Sequence, residues 1–325
     1  MHSMSFNTGD FDYHLPVSHI AQVPIVPREA ARLMVVDRKT GTITHTYVAH
    51  FPDYLHQGDV LVINNTKVFH ARLKSGNKEL FLVRTIGGNR WQAIGKKLIP
   101  GETIVFAQDF RATILEKHNN GTVVVEFGQG DVIALANKYG EVPVPPYIKT
   151  IPKDADYQTA YAKIIGSVAA PTAGFHLTKA LLQTIKNRGV EIVEITLHVG
   201  LGTFLPIKTA SLEAHPMHSE WVEIKPDAAE AIKRAKRVVA VGTTTVRALE
   251  GTGGKPYMGD INLFIKPEYK FCVVDGMLTN FHLPKSTLIV LVSAFADRKL
   301  ILHAYKEAIE HGYRFYSFGD AMFLA

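Results

Sequence analysis

One cysteine, Cys272, among 325 residues excludes an intrachain disulfide and any zinc site built from cysteines. Such a lone thiol is expected to be buried and inert. Long apolar runs are also missing. The longest, Leu288 to Ala296, spans about two helical turns and stops at Asp297-Arg298-Lys299, against the roughly 20 residues a membrane helix requires. Met1-His2-Ser3-Met4 carries none of the basic start, apolar middle and small-residue cleavage site of a secretory signal. The expected location is therefore the cytoplasm, with no membrane and no evident protein partner. Charge of one sign is scarce too: 36 Lys and Arg against 30 Asp and Glu give +6, a weak bias toward polyanions such as nucleic acid.

What is present changes texture along the chain. Arg32 to Asp37 reads as a strand turning at Lys39-Thr40-Gly41, and Asp59 to Asn64 as a buried strand ending in the polar cluster Asn64-Asn65-Thr66-Lys67. From 71 to 142, short runs such as Leu80 to Arg84, Thr103 to Phe106, Phe110 to Lys117 and Thr122 to Phe127 alternate with turn residues. That spacing predicts a small β-barrel. The segment ends in Val142-Pro-Val-Pro-Pro-Tyr147, an extended, semi-rigid linker.

After 150, strands alternate with helices. Thr178 is placed to cap a helix from Lys179 to Arg188, Asp227 to cap another reaching Lys236, and Ser286 to cap an apolar core helix. Val190 to Leu197 and Val238 to Val241 read as strands, and Thr243 to Glu250 and Leu300 to Glu310 as helices. The pattern predicts a discontinuous three-layer α/β core (1–70 and 143–325) interrupted by an inserted β-barrel domain (71–142).

Candidate sites fall at strand ends, where open sheets present ligands. His198-Val-Gly200-Leu-Gly202-Thr203 reads either as a ligand loop or as a tight turn with a hydrogen-bonded histidine; it lacks the third glycine of a dinucleotide fingerprint. Gly242-Thr243-Thr244-Thr245, with Arg247 one turn on, is either an anion-binding helix start or plain capping. Ala170 to Thr178, containing Thr172, Gly174 and His176, shows by itself only a loop entering a helix. His215-Pro-Met-His218-Ser-Glu220 invites a metal reading, but Pro216 breaks helical geometry, so no metal is assigned. A strand with His218 and Glu220 on one face fits better. Asn280 and His282 line a pocket, or merely precede the capped helix. Gly251-Thr-Gly-Gly254 lacks the Lys-Ser/Thr ending of a P-loop and reads as a flexible loop.

Taken together, several phrases resemble the tRNA ribosyltransferase-isomerases of queuosine biosynthesis over nearly the whole chain. They include Phe11-Asp-Tyr13, Asn64-Asn-Thr-Lys-Val68 with Ala71-Arg72, Pro143-Val-Pro-Pro-Tyr147, Tyr157-Gln-Thr159, and Gly166-Ser-Val-Ala-Ala-Pro-Thr-Ala-Gly174. Later come Thr196-Leu-His-Val-Gly200, Met217-His-Ser-Glu220, Val246-Arg247, Asn280-Phe-His-Leu-Pro284 and Phe318-Gly-Asp-Ala-Met322.

The resemblance implies an α/β domain interrupted by a barrel. It also implies transfer and isomerisation of the ribosyl part of S-adenosylmethionine onto the aminomethyl group of a 7-deazaguanine base at the anticodon wobble position of tRNA. The products would be epoxyqueuosine-tRNA, adenine and methionine; S-adenosylmethionine is substrate, and no cofactor is bound. For that chemistry His198, His218 and His282 are the acid–base candidates, with Glu220 orienting or stabilising positive charge. Thr172, Gly174, His176, Gly200, Gly202, Thr203, Thr243, Thr244, Arg247 and Asn280 are the substrate-binding candidates, and Lys67 and Arg72 the tRNA-binding ones. The chain departs from the family's wording at His14, Ala31, Asn65, Phe175, Leu177 and Leu201. Asn65 matters most, because an amide cannot act as a general base.

Overall fold

Every residue of the strand Asp59–Asn64 is buried, which demands neighbours on both edges and cover on both faces. The computed structural model, which describes residues 6–118, 121–150, 152–200, 206–217 and 219–325, supplies both. A nine-stranded sheet runs in the order Tyr257–Ile261, Glu220–Ile224, Glu191–Leu197, Asp59–Asn64, Arg237–Val241, Gly276–Asn280, Ala321–Leu324, Arg32–Val36, Ile43–Tyr47. The four strands from Glu191–Leu197 to Gly276–Asn280 are mutually parallel. Antiparallel pairs finish both flanks.

Alternation along the strands sorts side chains into two cores. Val60, Val62, Met34 and Val36 enter one, with helices Pro226–Arg234, Thr243–Thr252, Thr287–Ala296 and Arg298–Glu310 packed over it. Leu61, Ile63, Leu33 and Val35 enter the other, under helix Lys179–Asn187 and the 3₁₀ segment Val48–Tyr54. Thr178 caps Lys179–Asn187 by accepting from Leu181 N, and Ser286 caps Thr287–Ala296 by accepting from Ile289 N, as their sequence positions require. Among the described residues no helix is long and apolar enough to cross a membrane.

The second sheet has six antiparallel strands in the order Arg72–Ser75, Lys78–Gly87, Arg90–Lys96, Thr122–Phe127, Phe110–Lys117, Thr103–Ala107. Its two end strands meet where Ser75 Oγ donates to the Val105 carbonyl at 2.6 Å, so the sheet is nearly closed and barrel-like. Chain entering and leaving it is joined by Arg72 N to Glu141 O at 3.1 Å and Glu141 N to Arg72 O at 2.9 Å.

Three expectations are corrected. Asp227 is not a cap: Pro226 takes the first helical position and Lys225 precedes it, leaving Asp227 inside the first turn. Cys272 is exposed, because the Glu250 carboxylate accepts from the backbone N–H groups of Cys272, Val273 and Val274 and fixes the loop with its thiol outward. Gly253 lies in the left-handed region at φ 65° and stops helix Thr243–Thr252, its N–H donating to Leu249 O; it is a helix stop, not a flexible loop. The barrel reading also missed helix Val132–Tyr139, whose cap Asp131 accepts from Ile133 and Ala134 N.

Candidate active site

Asn64, the last residue of the central strand, is buried and turns its amide on the neighbouring strand: Nδ2 donates to Leu197 O at 2.9 Å and Oδ1 accepts from Leu197 N at 3.0 Å. The two strands therefore end in register, with His198 just past the edge. Thr66 Oγ1 then shares a 2.8 Å hydrogen bond with His198 Nδ1. The His198 ring stacks on Trp221, with centroids 5.0 Å apart and planes at 16°. Gly166 also packs close to the ring: a Cβ there would sit 2.5 Å from it. Desolvation lowers the His198 pKa to about 4, so the imidazole is neutral at pH 7. Because the ring fills the space a side chain would need, Gly166→Ala is expected to displace it. The check is an imidazole NMR spectrum with the native circular dichroism retained; an unshifted His198 resonance would show that the ring keeps its place.

Residues 198–200 form a wall between two hollows. Val199 faces a narrow cleft of about 50 Å³ lined also by Tyr147, Thr172, Gly242, Thr243, Thr244, Asn280, His282 and Tyr316. His198 and Gly200 face a larger cavity of about 530 Å³, lined on the far side by Arg84 and Trp91 of the barrel-like sheet, by Asp131, the cap of helix Val132–Tyr139, and by Trp221 and Asp260. Arg84 bonds Asp260 at 2.7 Å across its rim. The two hollows thus differ about tenfold in volume.

The cleft is built on the carboxyl ends of Arg237–Val241 and Gly276–Asn280. Gly242, at φ 90°, turns the chain into helix Thr243–Thr252, whose first N–H groups have no acceptor within the helix. Opposite them, Asn280 Oδ1 accepts from Thr172 Oγ1 at 3.4 Å, and Nδ2 donates to Tyr316 O and to His176 Nε2, both at 3.2 Å. Tyr316 holds that carbonyl in place with a left-handed φ of 70°, a strained conformation for a bulky residue. His282 is clamped through its backbone, accepting from Tyr13 Oη and donating to Tyr305 Oη at 3.0 Å, while its Nε2 meets Thr279 Oγ1 at 2.9 Å. Burial lowers His282 to about 3. Burial, then the charges of Arg28 and Arg314, lowers His176 to about 3.

Glu220 and Arg247 lie beneath the wall, 5% and 4% exposed. Arg247 Nη1 bonds a Glu220 carboxylate oxygen, Glu220 Oε1 accepts from Gly200 N at 3.2 Å, and Arg247 Nε donates to Leu263 O at 3.1 Å. The pair ties strand Glu220–Ile224 and helix Thr243–Thr252 to the backbone of residue 200.

The structure thus gathers Thr172, Thr243, Thr244, Asn280 and His282 in the cleft, and His198, Gly200 and Glu220 at the larger cavity. Other candidates fall elsewhere. Gly174 is buried where a Cβ would meet Tyr161 Oη at 2.0 Å, so its glycine serves packing. His176 stands behind Asn280 rather than on the wall. Arg247 is committed to Glu220 instead of a ligand carboxylate. Arg72 is held by Glu79 and Glu141, so its charge is already matched, and Lys67 is exposed. Asn65 accepts from Thr196 Oγ1 and donates to Glu194, away from both hollows. Gly202, Thr203, Leu201 and His218 lie outside the described residues. Tyr147, Tyr316 and Trp221 were missed as wall residues, although Tyr147 ends the proline-rich phrase and Trp221 adjoins Glu220.

Fold and hollows define a mixed α/β protein with its site at the ends of parallel strands, one side walled by a barrel-like sheet. Residues 8–324 match the family described as queuosine biosynthesis protein. An Aquifex aeolicus protein named S-adenosylmethionine:tRNA ribosyltransferase-isomerase is 47% identical, covering 97% of this chain and 98% of its own length. The crystal structure of S-adenosylmethionine tRNA ribosyltransferase from Thermotoga maritima is 34% identical and superposes with a TM-score of 0.58, covering 97% of this chain and all of that one. The chain belongs to the queuosine biosynthesis protein family.

Proposed function

We propose that this chain transfers and isomerises the ribosyl moiety of S-adenosylmethionine onto a 7-aminomethyl-7-deazaguanine base in tRNA, releasing adenine and methionine and leaving epoxyqueuosine. The near-full-length 47% identity to the Aquifex aeolicus enzyme carries this reading, and the two hollows of unequal size on either side of residues 198–200 support it. In this reading the chain works in the cytoplasm, with residues 71–142 an inserted domain on a three-layer core and the paired backbone of Arg72 and Glu141 at its base.

The substrate straddles residues 198–200. Its methionine carboxylate sits in the narrow cleft, held by the first N–H groups of helix Thr243–Thr252 and by the Thr172–Asn280 pair. Its nucleoside and the tRNA base occupy the larger cavity, against the stacked His198 and Trp221 rings. Neutral His198 accepts the proton removed from the 5′ carbon beside the sulfonium. Adenine departs, the substrate amine attacks the sugar, and epoxide closure expels methionine. Glu220, bonded to the N–H of Gly200 and paired with Arg247, orients the backbone on that side of the wall.

Chromatography of the small molecules formed with S-adenosylmethionine and tRNA bearing the aminomethyl base tests the proposal. Adenine and methionine in equal amounts are expected. S-adenosylhomocysteine would indicate a methyltransferase instead, and tight tRNA binding without any small-molecule product a noncatalytic RNA-binding relative.

A further inference from the structure

At the edge of the nine-stranded sheet farthest from residues 198–200 in strand order, the last strand, Ile43–Tyr47, has a single neighbour. His45 on that strand faces helix Arg298–Glu310, and its Nε2 lies 2.8 Å from Glu307 Oε1. His311, which caps the same helix, stacks on the His45 ring with centroids 4.4 Å apart. One ligand atom from each of His45, Glu307 and His311 falls within 4.8 Å of the other two. His303, one turn before Glu307, places Nε2 3.6 Å from the outer carboxylate oxygen.

We propose that His45, Glu307 and His311 form a binding site for a divalent transition metal, zinc by preference, which pins the edge strand to the helix. Two imidazoles and one carboxylate are a donor set that zinc accepts, with a fourth position left beside His303. The surroundings orient the donors as outer partners of metal ligands do. The Glu307 carbonyl can only accept, so His311 Nδ1, at 2.9 Å, carries the proton and leaves Nε2 its lone pair. His45 Nδ1 is engaged by Tyr313 Oη at 2.8 Å, and Tyr313 Oη in turn donates to Leu33 O at 3.4 Å. That chain makes His45 Nδ1 the donor, so Nε2 would set a lone pair against a carboxylate unless a cation lies between them.

That cation is either a proton or a metal. Tetrahedral zinc needs its ligand atoms about 3.3 Å apart, so atoms now within 4.8 Å of one another must close by up to about 1.5 Å while the His45–Glu307 pair, at 2.8 Å, opens slightly, and the two rings must turn out of their stack. His311 is exposed and free to do so. Arg32, whose guanidinium lies 3.9 Å over the Tyr313 ring and donates to His311 O, works against a dication, whereas the Glu307 carboxylate favours one.

Calorimetric titration of tag-free, chelator-treated protein with Zn²⁺ decides between proton and metal. One ion per chain is expected, with a Kd at or below about 10 µM, and a melting temperature that rises with Zn²⁺ concentration. Co²⁺ in the same site should give the strong visible absorption of tetrahedral coordination. Glu307→Gln and His311→Ala should each weaken Zn²⁺ binding at least about tenfold without losing native circular dichroism. His118→Ala, on the barrel-like sheet, should change nothing. His45→Ala is the less decisive variant, since its ring also packs on Tyr313. Absence of binding at about 100 µM Zn²⁺, or binding indifferent to Glu307→Gln and His311→Ala, would overturn the site and leave an imidazolium–carboxylate pair.

Discussion

Replacing Glu220 with alanine is expected to cost about 3–5 kcal/mol of folding stability, the largest loss from any single substitution at the site. The change breaks a buried ion pair and takes a carboxylate from the Arg247 guanidinium, 4% exposed, in the interior. Breaking a buried pair is far costlier than breaking an exposed one: surface pairs such as Arg84–Asp260, about half exposed, contribute roughly 0–1 kcal/mol. Urea denaturation followed by circular dichroism measures the loss. The double change Glu220→Leu with Arg247→Met should regain most of that stability, because an apolar pair of similar volume avoids the desolvation cost, yet turnover should not return, since Gly200 N loses its acceptor. A loss below 1 kcal/mol for Glu220→Ala would mean that water reaches the pair.

Acid should destabilise the protein well above the range where carboxylates titrate. His176, His198 and His282 have native pKa values of about 3, 4 and 3 against an ordinary 6.5. Between pH 6.5 and about 4 the unfolded chain takes up protons at these positions that the native chain refuses. The unfolded state therefore binds more protons, and stability falls as the pH drops, by up to about 1.4 kcal/mol per pH unit for each histidine. From pH 7.5 to 5.5 the three together approach about 4 kcal/mol, an upper figure because denatured chains retain some structure. Asp320, whose burial raises its carboxyl, acts in the opposite direction but at lower pH. Urea midpoints at the two pH values provide the check; equal midpoints would show that water reaches these rings.

Periodicity and capping chemistry made much of this architecture legible in the sequence, because they are local. Thr178 and Ser286 start helices where hydroxyl caps are needed, and Asp59 to Asn64 runs apolar because it is covered on both faces. Short edge and flank strands such as Ile43–Tyr47 and Ala321–Leu324 escaped notice, since their pairing is set by distant partners rather than by their own pattern. The site divides in the same way. Glycine and hydroxyl clusters at strand ends marked Gly200, Thr243, Thr244, Asn280 and His282. No local signal distinguished Gly174, which makes room for Tyr161, from a ligand-facing glycine. Nor could spacing show that Arg247 would spend its charge on Glu220, 27 residues away, or that the larger cavity would take its far wall from the barrel-like sheet.

Single-turnover release of adenine in the presence of substrate tRNA, compared between the parent and the variants His198→Ala and Asn280→Ala, most directly tests whether the reaction happens across residues 198–200. One variant alters the larger cavity and the other the narrow cleft, so each should slow release about a hundredfold or more while the native circular dichroism is kept. Release within twofold of the parent in both would place the chemistry elsewhere in the molecule.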